Sequence, residues 1–170
     1  RDAQHEAVWR LLQSYQGAHE YEAAHGVVEQ LLRDFPDHPH QLEARLELGV
    51  ILKEKGQYTQ AISYFEALLN EQQLDANDAS EARFYVGESY QNMGEYRKAI
   101  EAYYKVSYHG AGGFIQWITS ADFQRAKCHE SMGEYATAIA VYERIVQREG
   151  GSTPQGEMAQ EQIMLLRRRL

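Results

Sequence analysis

The chain has 170 residues, a formal net charge of −8 and a hydrophobic content of 44%. This acidity argues against binding to nucleic acid or to an anionic membrane surface, because both need a basic stripe on the protein. No apolar run approaches the length of about 18 residues that a membrane-spanning helix needs, so membrane insertion is not predicted. The single cysteine, Cys128, cannot form a disulfide within the chain.

Four segments of the chain share one pattern of residues. They begin at His5, Leu42, Ser80 and Thr119, so their spacing is 37, 38 and 39 residues. Position 17 of each segment is a tyrosine and position 20 is an alanine: Tyr21, Tyr58, Tyr96, Tyr135; Ala24, Ala61, Ala99, Ala138. A period in this range built from two helices indicates a solenoid, in which each unit packs only on its neighbours.

Each repeat is predicted to hold two helices, A and B, that cross closely. Position 3 is alanine in every copy: Ala7, Ala44, Ala82, Ala121. Position 8 reads Leu12, Gly49, Gly87, Ala126, and position 24 is bulky: Val28, Phe65, Tyr103, Tyr142. Small residues at positions 8 and 20 let helix A approach helix B, while the bulky side chains fill the remaining space.

The first two repeats span residues 5–38 and 42–75. Pro36 and Pro39 lie between them and prevent helix B of the first repeat from continuing. Within the second repeat, Gly56 is predicted to take the left-handed conformation that ends helix A.

The third and fourth repeats span 80–113 and 119–152, with Gly94 and Gly133 at the same turn. The polar stretch 75–78 is predicted to end in residues that cap the next helix. The glycine-rich stretch 109–113 is predicted to be the most flexible linker, and it leads into an apolar segment, Phe114–Ile118.

Residues 155–170 are predicted to form a lone capping helix. Its inner stripe is Ala159, Ile163, Leu166 and Leu170, and its outer side is Glu157, Gln160, Glu161, Arg167 and Arg168. Terminal repeats need a polar outer side to remain soluble. Because the chain opens without methionine and stops inside a helical pattern, it is predicted to be a piece of a longer protein.

This pattern resembles the tetratricopeptide repeat (TPR) over almost the whole chain. Three departures are visible: position 4 lacks the usual aromatic (Val8, Arg45, Arg83, Asp122), only Pro36 stands at position 32, and extra residues separate the repeats. The resemblance implies an all-α, right-handed superhelical solenoid of four helix hairpins plus a capping helix. The long spacing is similar to bacterial cell-envelope members, such as the outer-membrane assembly lipoprotein and the Tol–Pal coordinator, which implies a periplasmic location.

The resemblance further implies that positions 5, 9 and 12 of helix A line a concave groove. The predicted groove residues are Trp9, Gln13, Leu46, Val50, Lys53, Phe84, Glu88, Gln91, Phe123 and Lys127. Large aromatics in a groove are typical of binding hot spots, and an amphipathic helix or an extended peptide would match them. The alternative is that the position-5 residues pack between neighbouring A helices.

The predicted function is therefore a non-catalytic scaffold for a protein or peptide partner, without a cofactor. The alternative is a structural spacer or homo-oligomer contact, with Phe114–Ile118 as its surface. An enzyme is disfavoured, since adjacent residues on a helix, such as Cys128 and His129, point about 100° apart. His38 and His40 lie near Asp37, but no further ligand stands at a spacing typical of metal sites.

Overall fold

The computed structural model describes residues 1–108 and 114–170, and these ranges contain nine helices. The helices are α1 (Asp2–Gly17), α2 (Tyr21–Asp34), α3 (Gln41–Glu54), α4 (Tyr58–Asn70), α5 (Ala76–Asn92), α6 (Tyr96–Tyr108), α7 (Ile115–Ser131), α8 (Tyr135–Glu149) and α9 (Pro154–Arg167). The predicted all-α class, with four hairpins followed by one further helix, is confirmed. The predicted flexible linker 109–113 lies outside the described residues.

The helices form two compact units, Arg1–Leu74 with α1 to α4 (unit 1) and Asp75–Leu170 with α5 to α9 (unit 2). The core of unit 1 contains Leu12, Ala24, Val27, Val28, Leu31, Ala44 and Ile51. One core cluster of unit 2 joins α5, α6 and α7, and a second joins α7, α8 and α9. Within the described ranges, no helix is both long and apolar enough to cross a membrane.

All four hairpins end helix A with the same turn. Gly56, Gly94 and Gly133 have φ angles of 77°, 76° and 74°, which confirms the predicted left-handed conformation. The next residue donates its amide back into the helix; in the second hairpin Gln57 N bonds the Leu52 carbonyl at 2.9 Å. In the first hairpin His19 takes this place with a φ of 58°, a role that the sequence pattern did not indicate.

The glycines at position 8 lie where helix A and helix B cross. A Cβ atom on Gly87 would lie 2.5 Å from the Tyr103 ring, and one on Gly49 would lie 2.5 Å from Phe65. Both rings are completely buried. The predicted close crossing is therefore present, with a buried ring occupying the space that a side chain at position 8 would need.

Every helix A begins before its predicted repeat start, by three residues in α1 and one in α3, and furthest in α5 and α7. α5 and α7 are 17 residues long, against 14 for α3, and each begins four residues before its repeat start. Asp75 caps α5 by accepting a hydrogen bond from the Asp78 amide at 2.8 Å. The prediction that the stretch 75–78 ends in the capping residues of the next helix was therefore wrong, because residues 76–78 belong to the first turn of α5 and the cap is Asp75.

The last helix, α9, buries Gly156, Ala159, Ile163 and Leu166. Its outer charged residues are exposed, as predicted. Leu170 was predicted on the inner stripe but is 76% exposed, because α9 ends at Arg167 before another turn can bring it inward. The Thr153 side chain caps the start of α9 by accepting from the Gly156 amide.

In the second and fourth repeats the charged residue at position 4 pairs with position 30 of the same repeat. In the second repeat Arg45 bonds both oxygens of Glu71, at 2.8 and 2.5 Å. In the fourth repeat the signs are exchanged, and Asp122 Oδ2 accepts from Arg148 at 2.9 Å. An ion pair thus stands where the family usually places an aromatic side chain.

Candidate protein-binding cleft

Unit 2 contains a cleft of about 400 Å³. Its walls come from α5, α7, α8 and α9. The lining residues are Phe84, Ser120, Phe123, Gln124, Lys127, Glu130, Tyr142, Met158, Glu161 and Gln162. Four of these residues are aromatic or apolar and six are polar or charged, so the cleft can contact both apolar and polar groups of a partner.

Two aromatic residues form part of the apolar lining. The rings of Phe123 and Tyr142 meet edge to face with centroids 5.7 Å apart. The Tyr142 hydroxyl donates to Glu130 at 2.6 Å, and burial, together with this bond, raises the pKa of Tyr142. The hydroxyl therefore remains a donor at neutral pH and fixes the carboxylate of Glu130.

Other lining residues are open to solvent. Lys127 and Glu161 are exposed, and the Met158 side chain is 58% exposed. Gln124 accepts a hydrogen bond from Gln91 at 3.2 Å. The cleft therefore offers an apolar surface beside one amine and one carboxylate that a partner can reach.

Of the five predicted groove residues in unit 2, three line the cleft and two do not. Phe84, Phe123 and Lys127 line the cleft together. Phe84 is only 8% exposed, whereas Phe123 is half-buried, so Phe123 is the more accessible ring. Gln91 contacts the lining residue Gln124 and accepts from the Tyr103 hydroxyl at 2.6 Å, and Glu88 is half-buried.

The predicted groove residues of unit 1 lie in varied environments. Trp9 and Val50 are half-buried, and Gln13 is exposed. Leu46 is buried, in line with the alternative that position 5 packs inside the fold. Lys53 is buried too, with its amine 2.7 Å from Glu54.

Sequence reasoning missed the contribution of α9 to the cleft. Met158, Glu161 and Gln162 lie on that helix, which was interpreted only as a cap. Their spacing of three and four residues places them along one side of a helix, and that signal could have identified them.

The adjacent Cys128 and His129 have separate structural roles. Cys128 is completely buried, and burial raises the pKa of its thiol to about 11, so the nucleophilic thiolate is absent at neutral pH. His129 Nδ1 lies 2.6 Å from Glu134, and this hydrogen bond, with one from Arg97, lowers the pKa of Glu134. The pair is not arranged as a nucleophile and its base.

A histidine cluster joins α1 to the loop before α3. The ring of His5 stacks on that of His38 with centroids 3.2 Å apart, and His40 lies 5.4 Å from His38. Among the residues that the structure describes, no group of three His, Cys, Asp or Glu side chains is placed to hold a metal ion. Burial, followed by the charges of His38 and His40, lowers the pKa of His5, against the opposing effect of Glu6 and Asp2.

The lowered pKa of His5 makes the stability of unit 1 depend on pH. Such a histidine stabilises the fold above its unfolded pKa of about 6.5, and this contribution is lost as pH falls through the folded value. The free energy of unfolding of unit 1 should therefore fall below about pH 6.5. Urea denaturation followed by Trp9 fluorescence in a Trp117→Phe background measures it. The decrease should be smaller with His5→Phe, and an equal decrease would contradict the assignment.

Helical hairpins that share a turn glycine and a small residue at the crossing define a class of helical repeat proteins. The sequence matches two family models, both described as tetratricopeptide repeat, one at residues 10–79 and 54–113 and the other at 120–152. The chain belongs to the tetratricopeptide repeat family. No curated protein sequence matches it significantly.

Solved structures show the same fold at low sequence identity. The nearly identical TPR-like repeats of a kinesin light chain candidate from Podosopora anserina are 16% identical, with a TM-score of 0.74 over 98% of this chain and 86% of that one. A TPR protein from Parabacteroides merdae is 14% identical, with a TM-score of 0.70 over 97% and 60%. A Rap protein complexed with competence and sporulation factor is 15% identical, with a TM-score of 0.71 over 85% and 42%.

Membership of the family supports a general function. TPR folds mediate protein–protein interactions and are typically non-catalytic scaffolds. The cleft in unit 2 is the candidate place for such an interaction.

Proposed function

We propose that the chain is a non-catalytic scaffold that binds a short segment of a partner protein, and that the cleft of unit 2 holds this segment. The observation that carries the proposal is the convergence of Phe123, Met158 and Lys127 from two helices on one cavity. The Rap protein, a fold relative whose structure holds competence and sporulation factor, supports a similar use of this fold. The segment binds either as an extended strand of peptide or as one face of a helix.

The chemistry of the cleft defines the kind of segment. A bulky apolar side chain would contact Phe123 and Met158, which removes apolar surface from water. Within the described part of the chain Glu161 makes no ion pair, and the whole chain carries a net charge of −8. A partner with a lysine or arginine beside its apolar residue would therefore be favoured.

Replacing Phe123 by alanine should weaken binding at least about tenfold, because the most accessible ring of the cleft is lost. Short random peptides displayed on phage and selected on the protein supply the probes, and calorimetric titration gives their affinities. We expect selected peptides to combine aromatic or aliphatic residues with lysine or arginine. Phe84→Ala should also weaken binding, although it removes core packing too.

The matched control is Phe114→Ala, since Phe114 belongs to the same unit, is 51% exposed and does not line the cleft. It should leave peptide affinity unchanged. If the selected peptides bind Phe123→Ala and Phe84→Ala as tightly as the parent, the cleft is not the binding site.

The repeat spacing of 37, 38 and 39 residues supports a narrower proposal, that the protein acts in a bacterial cell envelope. Fractionation of cells that produce the natural protein, followed by immunodetection, tests this location. Recovery in the cytoplasmic fraction alone would contradict it without affecting the binding proposal.

A further inference from the structure

The outer side of α9 has three large apolar side chains exposed to solvent. Met158, Met164 and Leu165 are 58%, 59% and 46% exposed. On the opposite side Ala159, Ile163 and Leu166 pack into the core of unit 2. At 3.6 residues per turn, the outer face consists of Glu157, Met158, Glu161, Met164, Leu165 and Arg168.

The charges on this face are arranged by sign along the helix. Glu157 and Glu161 lie in its first half, whereas Arg168 lies at its end. Within the described ranges these three side chains make no ion pair; the neighbouring Arg167 is bonded to Glu143 at 3.2 Å. The face is therefore acidic at one end, basic at the other and apolar between.

We propose that this outer face of α9 is a self-association surface, on which the α9 helix of a second copy packs antiparallel about a two-fold axis. In that arrangement Glu157 of each copy meets Arg168 of the other, and Met164 of each copy lies opposite Glu161 of the other near the axis, with Leu165 beside it. A parallel arrangement would instead bring like charges together. Self-complementarity of this kind is what a two-fold interface requires.

A single pair of helices this short buries less than the roughly 1,600 Å² of a standard protein interface. The dimer should therefore be weak, with a dissociation constant on the order of 10–100 μM. Sedimentation velocity at increasing protein concentration measures it directly. The Met164→Glu variant should remain monomeric, because each new carboxylate would lie opposite Glu161 of the other copy.

A charge exchange tests the antiparallel geometry itself. Glu157→Arg and Arg168→Glu should each weaken the dimer several-fold, and the double variant should restore it, because each end again faces its opposite charge. Glu101→Arg, at an exposed position of α6, is the matched control and should leave association unchanged. Far-UV circular dichroism verifies that every variant is folded.

Three results would overturn the proposal: a monomer up to about 1 mM, a double variant that fails to recover, or a dimer that survives Met164→Glu. If the surviving dimer is lost instead in Ile115→Ser, the contact lies at the apolar entry to α7, where Ile115 is 61% exposed. Glu157, Met164 and Arg168 do not line the cleft, and Phe123 is not on α9. Met158 and Glu161 belong to both surfaces, so a bound peptide would compete with the dimer. The variants at Phe123 and at Glu157, Met164 and Arg168 each change one surface alone, so the two proposals can still fail independently.

Discussion

Replacing Asp122 by alanine should lower the free energy of unfolding of unit 2 by about 3–5 kcal/mol. Asp122 is 3% exposed, and its carboxylate accepts hydrogen bonds from Arg148 at 2.9 Å and from Ser107 at 3.1 Å. It also forms an ion pair with Arg125 at 3.1 Å. Without it, Arg125 would remain buried without a counter-charge. The ring of Tyr104, 5.5 Å from that guanidinium, offers only a weak substitute.

The measurement is urea denaturation followed by the fluorescence of Trp117, in a Trp9→Phe background that leaves it as the sole tryptophan. The matched control is Glu71→Ala, which removes the equivalent pair in the second repeat. Because it lies in unit 1, it is read from Trp9 in a Trp117→Phe background. Arg45 and Glu71 are 28% and 38% exposed, so water can solvate the side chain that remains and the loss should be much smaller. Equal decreases in the free energy of unfolding at both positions would show that burial of the ion pair does not determine how much stability its removal costs.

Replacing Gly87 by alanine should destabilise unit 2 by about 1–3 kcal/mol, although alanine is the better helix former. The new Cβ would lie 2.5 Å from the Tyr103 ring. That ring is completely buried and its hydroxyl is bonded to Gln91, so it cannot move aside without losing packing or the hydrogen bond.

Gly26→Ala is the opposite control, because no atom lies within 4 Å of the Cβ it would add in α2. It should stabilise unit 1 by up to about 1 kcal/mol through helix propensity alone. The same denaturation assay, read from Trp117 for Gly87→Ala and from Trp9 for Gly26→Ala, compares the signs. Stabilisation by both substitutions would show that the crossing in unit 2 tolerates a methyl group.

The repeat pattern predicted that Phe84, Phe123 and Lys127 lie close together, and in the structure they line one cleft. Phe123 and Lys127 are four residues apart on α7, so they share a face of that helix, and Phe84 occupies the same position one repeat earlier. The pattern did not indicate how far each ring would be covered. Phe84 is nearly fully buried because its ring packs against that of Trp117, with centroids 5.4 Å apart. Trp117 lies in the added first turn of α7.

The pairs between positions 4 and 30 were not predicted either. Position 4 alone showed only a charge in place of the expected aromatic, and position 30 alone showed only a charge. Opposite signs at the two positions, Arg45 with Glu71 and Asp122 with Arg148, are a signal that becomes meaningful once helix B is known to return beside the start of helix A.

By itself the sequence determined the hairpins, their turns and the close crossing of helix A with helix B. These depend on local conformation and on side-chain volume, such as the left-handed glycine of each later turn and the absence of a side chain at Gly49 and Gly87. Only the tertiary structure decided the burial of Lys53, the network around Asp122 and the part of α9 in the cleft. These depend on which side chains distant helices bring together, and no single segment contains that information.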